Sequence, residues 1–123
     1  MDTSEEYIKM CDCPEIQDNF PYFMPIKSNE IIYAGNYVFV ELDRGSTKWR
    51  SICLPRQDQI QEMAGGLSPD KTGYSQLLHD FFQFIEFNEI RYIKSFEQLW
   101  LAFYMHEKHG KVWDGEKWVK KEG

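Results

Sequence analysis

The apolar positions of the chain change period several times, and each change marks an element. Near the start, Thr3 or Ser4 can cap a short helix, with Glu5 and Glu6 in its favourable first turn. Tyr7, Ile8 and Met10 or Cys11 give that helix an apolar side. Pro14 interrupts the path, and Glu15 to Asn19 has room for one more helical turn. Phe20-Pro21-Tyr22-Phe23-Met24-Pro25 is expected to be extended, a strap across the core, because a residue before proline is steered away from the α region. Three segments rich in β-branched and aromatic residues follow: Glu30 to Tyr33, Tyr37 to Leu42 and Lys48 to Cys53. The breaks at Ala34-Gly35-Asn36 and Asp43 to Thr47 predict an antiparallel meander. Its continuous apolar runs require helices on at least one face.

From Leu54 onward the period becomes helical. Pro55 suits a first helical position, Ile60, Met63 and Leu67 form a stripe, and Gly65-Gly66 supplies the stop. Ser68 to Gly73 reads as a polar loop. Tyr74 to Phe87 predicts a long helix capped by Ser75, with Leu77, Leu78, Phe81, Phe82 and Ile85 on one core-facing side. Asn88 to Lys94 is a connection with extended character through Ile90 and Tyr92.

Ser95 opens the last helix, and Ser95 and Gln98 have the spacing of a capping box. Phe96, Leu99, Trp100 and Phe103 form one face. Leu101, Tyr104 and Met105 widen it until the middle turns are apolar nearly all round, so this helix is expected to be buried on more than one side. Lys108 and His109 complement its carboxyl end, and Gly110 suits a left-handed cap. Lys111 to Val119 reads as a β-hairpin, since Asp114-Gly115 between apolar residues is a strong turn signal. With a two-residue turn there, Trp113 and Trp118 become diagonal neighbours on one face, with Val112 and Val119 on the other. A lone hairpin is marginal in water, so at least one tryptophan is expected to dock on the domain. The fold class predicted is α+β: a small antiparallel sheet packed by two main helices, with a C-terminal hairpin, in one domain spanning residues 1–123.

Composition supports a globular chain. At 123 residues, 42% hydrophobic and 28% charged, it is long enough to bury a core without disulfides. Aromatic residues make up 16%, so large rings must fill much of that core or form an exposed binding face. The net charge is −6, and no basic stripe is visible, which argues against nucleic acid as the partner. Residues 1–30 place seven carboxylates (Asp2, Glu5, Glu6, Asp12, Glu15, Asp18, Glu30) against Lys9 and Lys27, and so hold five of the six net charges. That acidic stretch reads as a solvated face or as a surface for a basic partner. The acidic start does not resemble a secretion signal, and no run approaches the apolar length of a membrane span. A cytoplasmic protein with no membrane association is therefore expected.

Candidate chemistry is sparse. Three cysteines, Cys11, Cys13 and Cys53, fit free thiols better than a disulfide framework. Cys11 and Cys13 could offer two metal ligands, but a closed zinc site needs about two more at suitable spacing. His106 and His109 are three apart, whereas the zinc-protease helix needs histidines four apart around a glutamate. Cys53, at a strand end before a helix start, is the most enzyme-like feature, because a helix amino terminus lowers a thiol pKa. Gly65-Gly66 lacks the lysine and glycine spacing of a phosphate loop. No cofactor, metal or catalytic residue is implied. The candidate interaction residues are Trp113 and Trp118, together with the dense polar run containing Arg56, Asp58 and Gln59.

Two strings carry a resemblance. Leu54-Pro55-Arg56-Gln57-Asp58-Gln59-Ile60-Gln61-Glu62-Met63 resembles a segment of small uncharacterised proteins encoded by phages and prophages of Gram-positive bacteria. Ser95-Phe96-Glu97-Gln98-Leu99-Trp100-Leu101-Ala102-Phe103, with Lys108 to Val119, is similar to the ending of the same proteins. The resemblance implies phage or prophage origin and a bacterial cytoplasm, and it brings no known activity or catalytic residues. The function expected is that of a non-enzymatic accessory protein that binds a host or phage protein. The alternatives are a nucleic-acid-associated factor using aromatic stacking, with a basic surface around Arg44, Lys48, Arg50 and Arg56, a small-ligand binder with an aromatic pocket for a nucleotide, and a hydrolase built on Cys53.

Overall fold

Ser4 starts the first helix as the sequence predicts: its Oγ accepts the Tyr7 N–H at 3.2 Å and opens α1 (Glu5–Cys11). The computed structural model describes residues 1–20, 31–35, 37–43, 49–65, 71–88 and 90–121. These form two compact units, Met1–Arg56 and Gln57–Gly123. The fold is α+β, with five helices and two small antiparallel sheets among the described residues. Most of the Phe20 to Pro25 strap, together with Gly66, Leu67 and the start of the Ser68 to Gly73 loop, lies outside the described residues.

In the first unit, Pro14 takes the first position of α2 (Pro14–Gln17), where its missing N–H costs no helical hydrogen bond. The meander follows as β1 (Ile31–Ala34), β2 (Tyr37–Asp43) and β3 (Trp49–Cys53), antiparallel in the order β1-β2-β3. The register pairs Ile31 with Val40 and Val40 with Ile52. α1 supplies a helical contact to this sheet, against β3. Tyr7, Met10, Cys11, Ile16, Phe39, Ile52, Cys53 and Leu54 form the core here.

Pro55 does not open a helix. Helix α3 (Gln57–Gly65) begins two residues later than expected. The extended path continues past Cys53: the Leu54 N–H donates to the Val38 carbonyl at 2.7 Å, and the buried Tyr7 hydroxyl donates to the Pro55 carbonyl at 2.6 Å. Tertiary hydrogen bonds thus override the local preference of proline for a helix start.

The second unit centres on α5 (Phe96–His109), which packs against α3, against α4 (Lys71–Phe87) and against β4 (Lys111–Trp113). Helix α4 starts at Lys71, before the predicted Tyr74, so Ser75 lies inside it and does not cap it. Gly73 weakens a helix by only about 1 kcal/mol relative to alanine, which is not enough to stop it. The Ile90 to Tyr92 stretch is a turn and not extended, closed by the Ile93 N–H on the Ile90 carbonyl at 3.0 Å.

Ser95 caps α5 as expected, accepting the Gln98 N–H at 3.1 Å. The reciprocal bond shifts by one residue: buried Gln98 accepts the Lys94 N–H at 2.8 Å through Oε1. Trp100 to Met105 are all buried, so α5 is enclosed on several sides as its composition requires. Phe96 departs from that pattern and is 55% exposed. Phe81 of α4 stacks on Trp100 with centroids 3.7 Å apart and planes within 2°. Phe103 meets both rings edge-on, at 5.4 and 5.8 Å. Such contacts contribute about 0.5–1.5 kcal/mol each beyond buried area.

Gly110 ends α5 in the left-handed region, at φ 63°. The hairpin of β4 and β5 (Trp118–Lys120) then closes, with Trp113 opposite Trp118 and Val112 opposite Val119. The tryptophans are therefore direct partners and not diagonal ones. The turn is centred one residue later than expected, on Gly115-Glu116. Asp114 causes this by accepting the Glu116 and Lys117 N–H groups at 2.8 Å, which also holds its carboxyl below the usual range. Gly115 sits at φ 104°, and a Cβ there would lie 3.3 Å from the Tyr92 ring.

Gly115→Ala is expected to destabilise the second unit by about 1–2 kcal/mol, since it adds a tight contact with the Tyr92 ring to the strain of a positive φ. Gly110→Ala has strain alone, because nothing lies within 4 Å of a Cβ there, and should cost about 1 kcal/mol. Urea unfolding of both variants followed by tryptophan fluorescence checks the order.

Candidate interaction surface

The two hairpin tryptophans are brought together, with ring centroids 5.1 Å apart at 61°. Trp113 is buried and Trp118 half-buried, so the hairpin docks through one ring and leaves part of the other accessible. Of the polar run, Arg56 and Gln59 are half-buried and Asp58 is exposed. Arg56 ends the first unit and the other two open the second, in the first turn of α3, where Asp58 complements the helix dipole.

The largest departure from the predicted surface is on α4. Its buried residues are Phe81 and Phe84, with Leu77 half-buried beside them at helical spacing. Leu78 and Phe82, expected in the core, are 58% and 69% exposed, and Ile85 is half-buried. Leu78, Phe82 and Ile85 fall at i, i+4 and i+7, so they form an apolar flank along the helix. Phe87 is also exposed, on another side. The predicted stripe spanned both flank and core, and periodicity alone could not divide it. The signal was its width: adjacent pairs Leu77-Leu78 and Phe81-Phe82 exceed what a single neighbouring helix covers.

The titratable groups are engaged in structure. Burial pushes the Cys53 thiol up to about 12, opposite to the activation expected at a helix start. Burial also holds Cys11 well above its ordinary value, against the opposing pull of its Tyr7 hydrogen bond. Gln17 fixes this corner, a contact absent from the sequence reading: its amide accepts the Cys53 N–H at 2.9 Å and donates to the Cys53 and Cys11 carbonyls at 3.0 and 2.8 Å.

The histidines of α5 face different partners. His109 Nε2 lies 3.2 Å from the Tyr104 hydroxyl, and His106 Nε2 lies 3.4 Å from Lys121 Nζ. Burial, then the Lys121 charge, lowers the His106 pKa, while Glu107, 3.6 Å away, opposes both. Among the described residues no group of three His, Cys, Asp or Glu side chains is placed to hold a metal. No helix among them is long and apolar enough to cross a membrane. Arg44, Lys48 and the side chain of Arg50, on which a basic nucleic-acid surface depended, lie outside the described residues.

Compared with family models, with curated proteins and with solved structures, the chain matches none.

With a thiol pKa of about 12, on the order of 10⁻⁵ of Cys53 is thiolate at neutral pH. Iodoacetamide should therefore label Cys53 at least about 100-fold more slowly in the native protein than in guanidinium chloride, as peptide mapping would record. His106, with its folded pKa below 6.5, contributes stability that is present above pH 6.5 and lost as pH falls through the folded value. The melting temperature should fall more between pH 7.5 and 5.5 in the wild type than in His106→Gln.

Proposed function

We propose that this chain is a non-enzymatic accessory protein that acts by binding another protein through the exposed flank of α4. The observation that carries the reading is the exposure of Leu78 and Phe82, at 58% and 69%, on a helix whose other side is anchored in an aromatic core. Large apolar side chains grouped on a surface mark contact sites, and aromatic residues dominate binding hot spots. Spacing at i, i+4 and i+7 suits insertion of a helix ridge into an apolar groove. The resemblance of the Leu54 to Met63 and Ser95 to Val119 strings supports a phage or prophage origin, a bacterial cytoplasm as the setting, and a host or phage protein as the partner. Trp118, half-buried beside Trp113, is a second candidate contact, with Asp58 at the start of α3.

The test is affinity capture from a Gram-positive host lysate with mass spectrometry, comparing the wild type with a Leu78→Ser/Phe82→Ser variant. The variant is expected to keep its melting temperature and to bind the captured protein about 30-fold more weakly, the loss of roughly 2 kcal/mol typical of a hot-spot pair. Equal affinity of a purified partner for both chains would sink the α4 reading.

A further inference from the structure

A cavity of about 190 Å³ lies within the second unit, apart from the α4 flank. Three rings from three separate elements wall it: Phe84 from α4, Tyr92 from the following turn and Trp113 from β4. Ile90, Ile93, Val112 and Ala102 of α5 complete the apolar lining, and the short Ala102 side chain leaves room between the larger ones. Tyr92 is 41% exposed, so the space is a partly open pocket and not a sealed void. Here the rings are held from outside. Phe84 meets Phe103 at 5.7 Å, Trp113 meets Trp118 at 5.1 Å, and Tyr92 rests against Gly115 of the hairpin turn. The walls are therefore preformed.

One polar group in the lining is oriented. The Asn88 side chain donates through Nδ2 to the Phe84 carbonyl at 3.0 Å, the last turn of its own helix. That bond fixes the amide plane and leaves Oδ1 as a hydrogen-bond acceptor with no partner among the described residues. Among the described residues no ionised side chain lines the cavity. Arg91, whose guanidinium lies 5.5 Å from the Tyr92 ring centroid, is not one of its walls. Phosphate or carboxylate would therefore enter without a counter-charge, at a large desolvation cost.

We infer that this cavity binds a small, neutral, planar ligand of one or two fused rings that carries an N–H or O–H donor for Asn88. Size sets the upper bound. An apolar cavity of roughly 150 Å³ accepts benzene, whereas sites for drug-sized ligands start near 300 Å³. A whole nucleotide would bring its phosphate without a counter-charge among the described residues, and a neutral heteroaromatic base or an indole is the class that fits.

The test uses the ¹⁵N-labelled full chain titrated with indole, with its isostere indene, which lacks the N–H, and with benzoate. Indole is expected to give saturable shifts at the Trp113 ring N–H and the Ala102 and Val112 amides, with none at Phe39 or Ile52 in the other unit. Indene should bind about fivefold more weakly, since the hydrogen bond to Asn88, about 1 kcal/mol, is lost, and benzoate should not bind. Ala102→Leu, which fills the space, should abolish the indole shifts while preserving the dispersed spectrum. If that variant does not fold, Asn88→Leu carries the test, and indole and indene should then bind equally. Absence of saturation up to the solubility of indole, equal binding of indole and indene to the wild type, or indole binding unchanged by the variants would each overturn the proposal.

Discussion

The parallel stack of Phe81 on Trp100 is the contact on which the second unit depends. It joins α4 to α5 at the middle of α5, where Trp100 to Met105 are buried without a break. A helix with that composition cannot remain in water on any side, so α3, α4 and β4 must each take a part of its surface. The remaining geometry follows from this arrangement. Phe103 is wedged edge-on between both stacked rings and Phe84. Gly110 turns the chain back so that β4 can reach α5, and Trp113 becomes the buried anchor of a hairpin too short to persist alone. The stack has one local cost: the Trp100 indole N–H is buried with no acceptor among the described residues.

The first unit is held by a different device. Among the described strands β3 is an edge of its sheet, and an unpaired edge invites another strand. Gln17 closes part of it, because a primary amide offers the same donor and acceptor pair as a backbone peptide and so imitates a neighbouring strand at Cys53. The same side chain ties down the end of α1 through Cys11. Both thiols are thereby sealed in a corner that disfavours their charged forms, which makes them packing groups at neutral pH.

Both proposed binding features arise from one property, an excess of large rings over the surface available to cover them. Helix α4 carries Phe81, Phe82, Phe84 and Phe87, yet the burial pattern divides them, with Phe81 and Phe84 inside and Phe82 and Phe87 outside. Of the rings left outside, Phe82 joins Leu78 and Ile85 in the flank. The rings inside are too rigid to collapse around the small side chain of Ala102, and that leaves the cavity beside Trp113. An apolar chain of more flexible residues would repack and present neither feature.

Local chemistry was sufficient to place most elements. The caps at Ser4 and Ser95, the left-handed Gly110, the three β-rich segments and the all-round apolar character of α5 are each short-range properties, and the strands fall within a residue or two of their predicted positions. The sequence alone therefore determined an α+β chain with a hairpin after its last helix. Tertiary structure decided what depends on a distant partner. Pro55 stays outside α3 because Tyr7 claims its carbonyl and Val38 the Leu54 N–H before it, and the hairpin register moved one residue because Asp114 captured the turn. Leu78 and Phe82 could not be told from core residues, since hydrophobicity states only that a side chain prefers to leave water. Whether it does so depends on which neighbour occupies that side of the helix, and that is settled by packing between elements far apart in the chain.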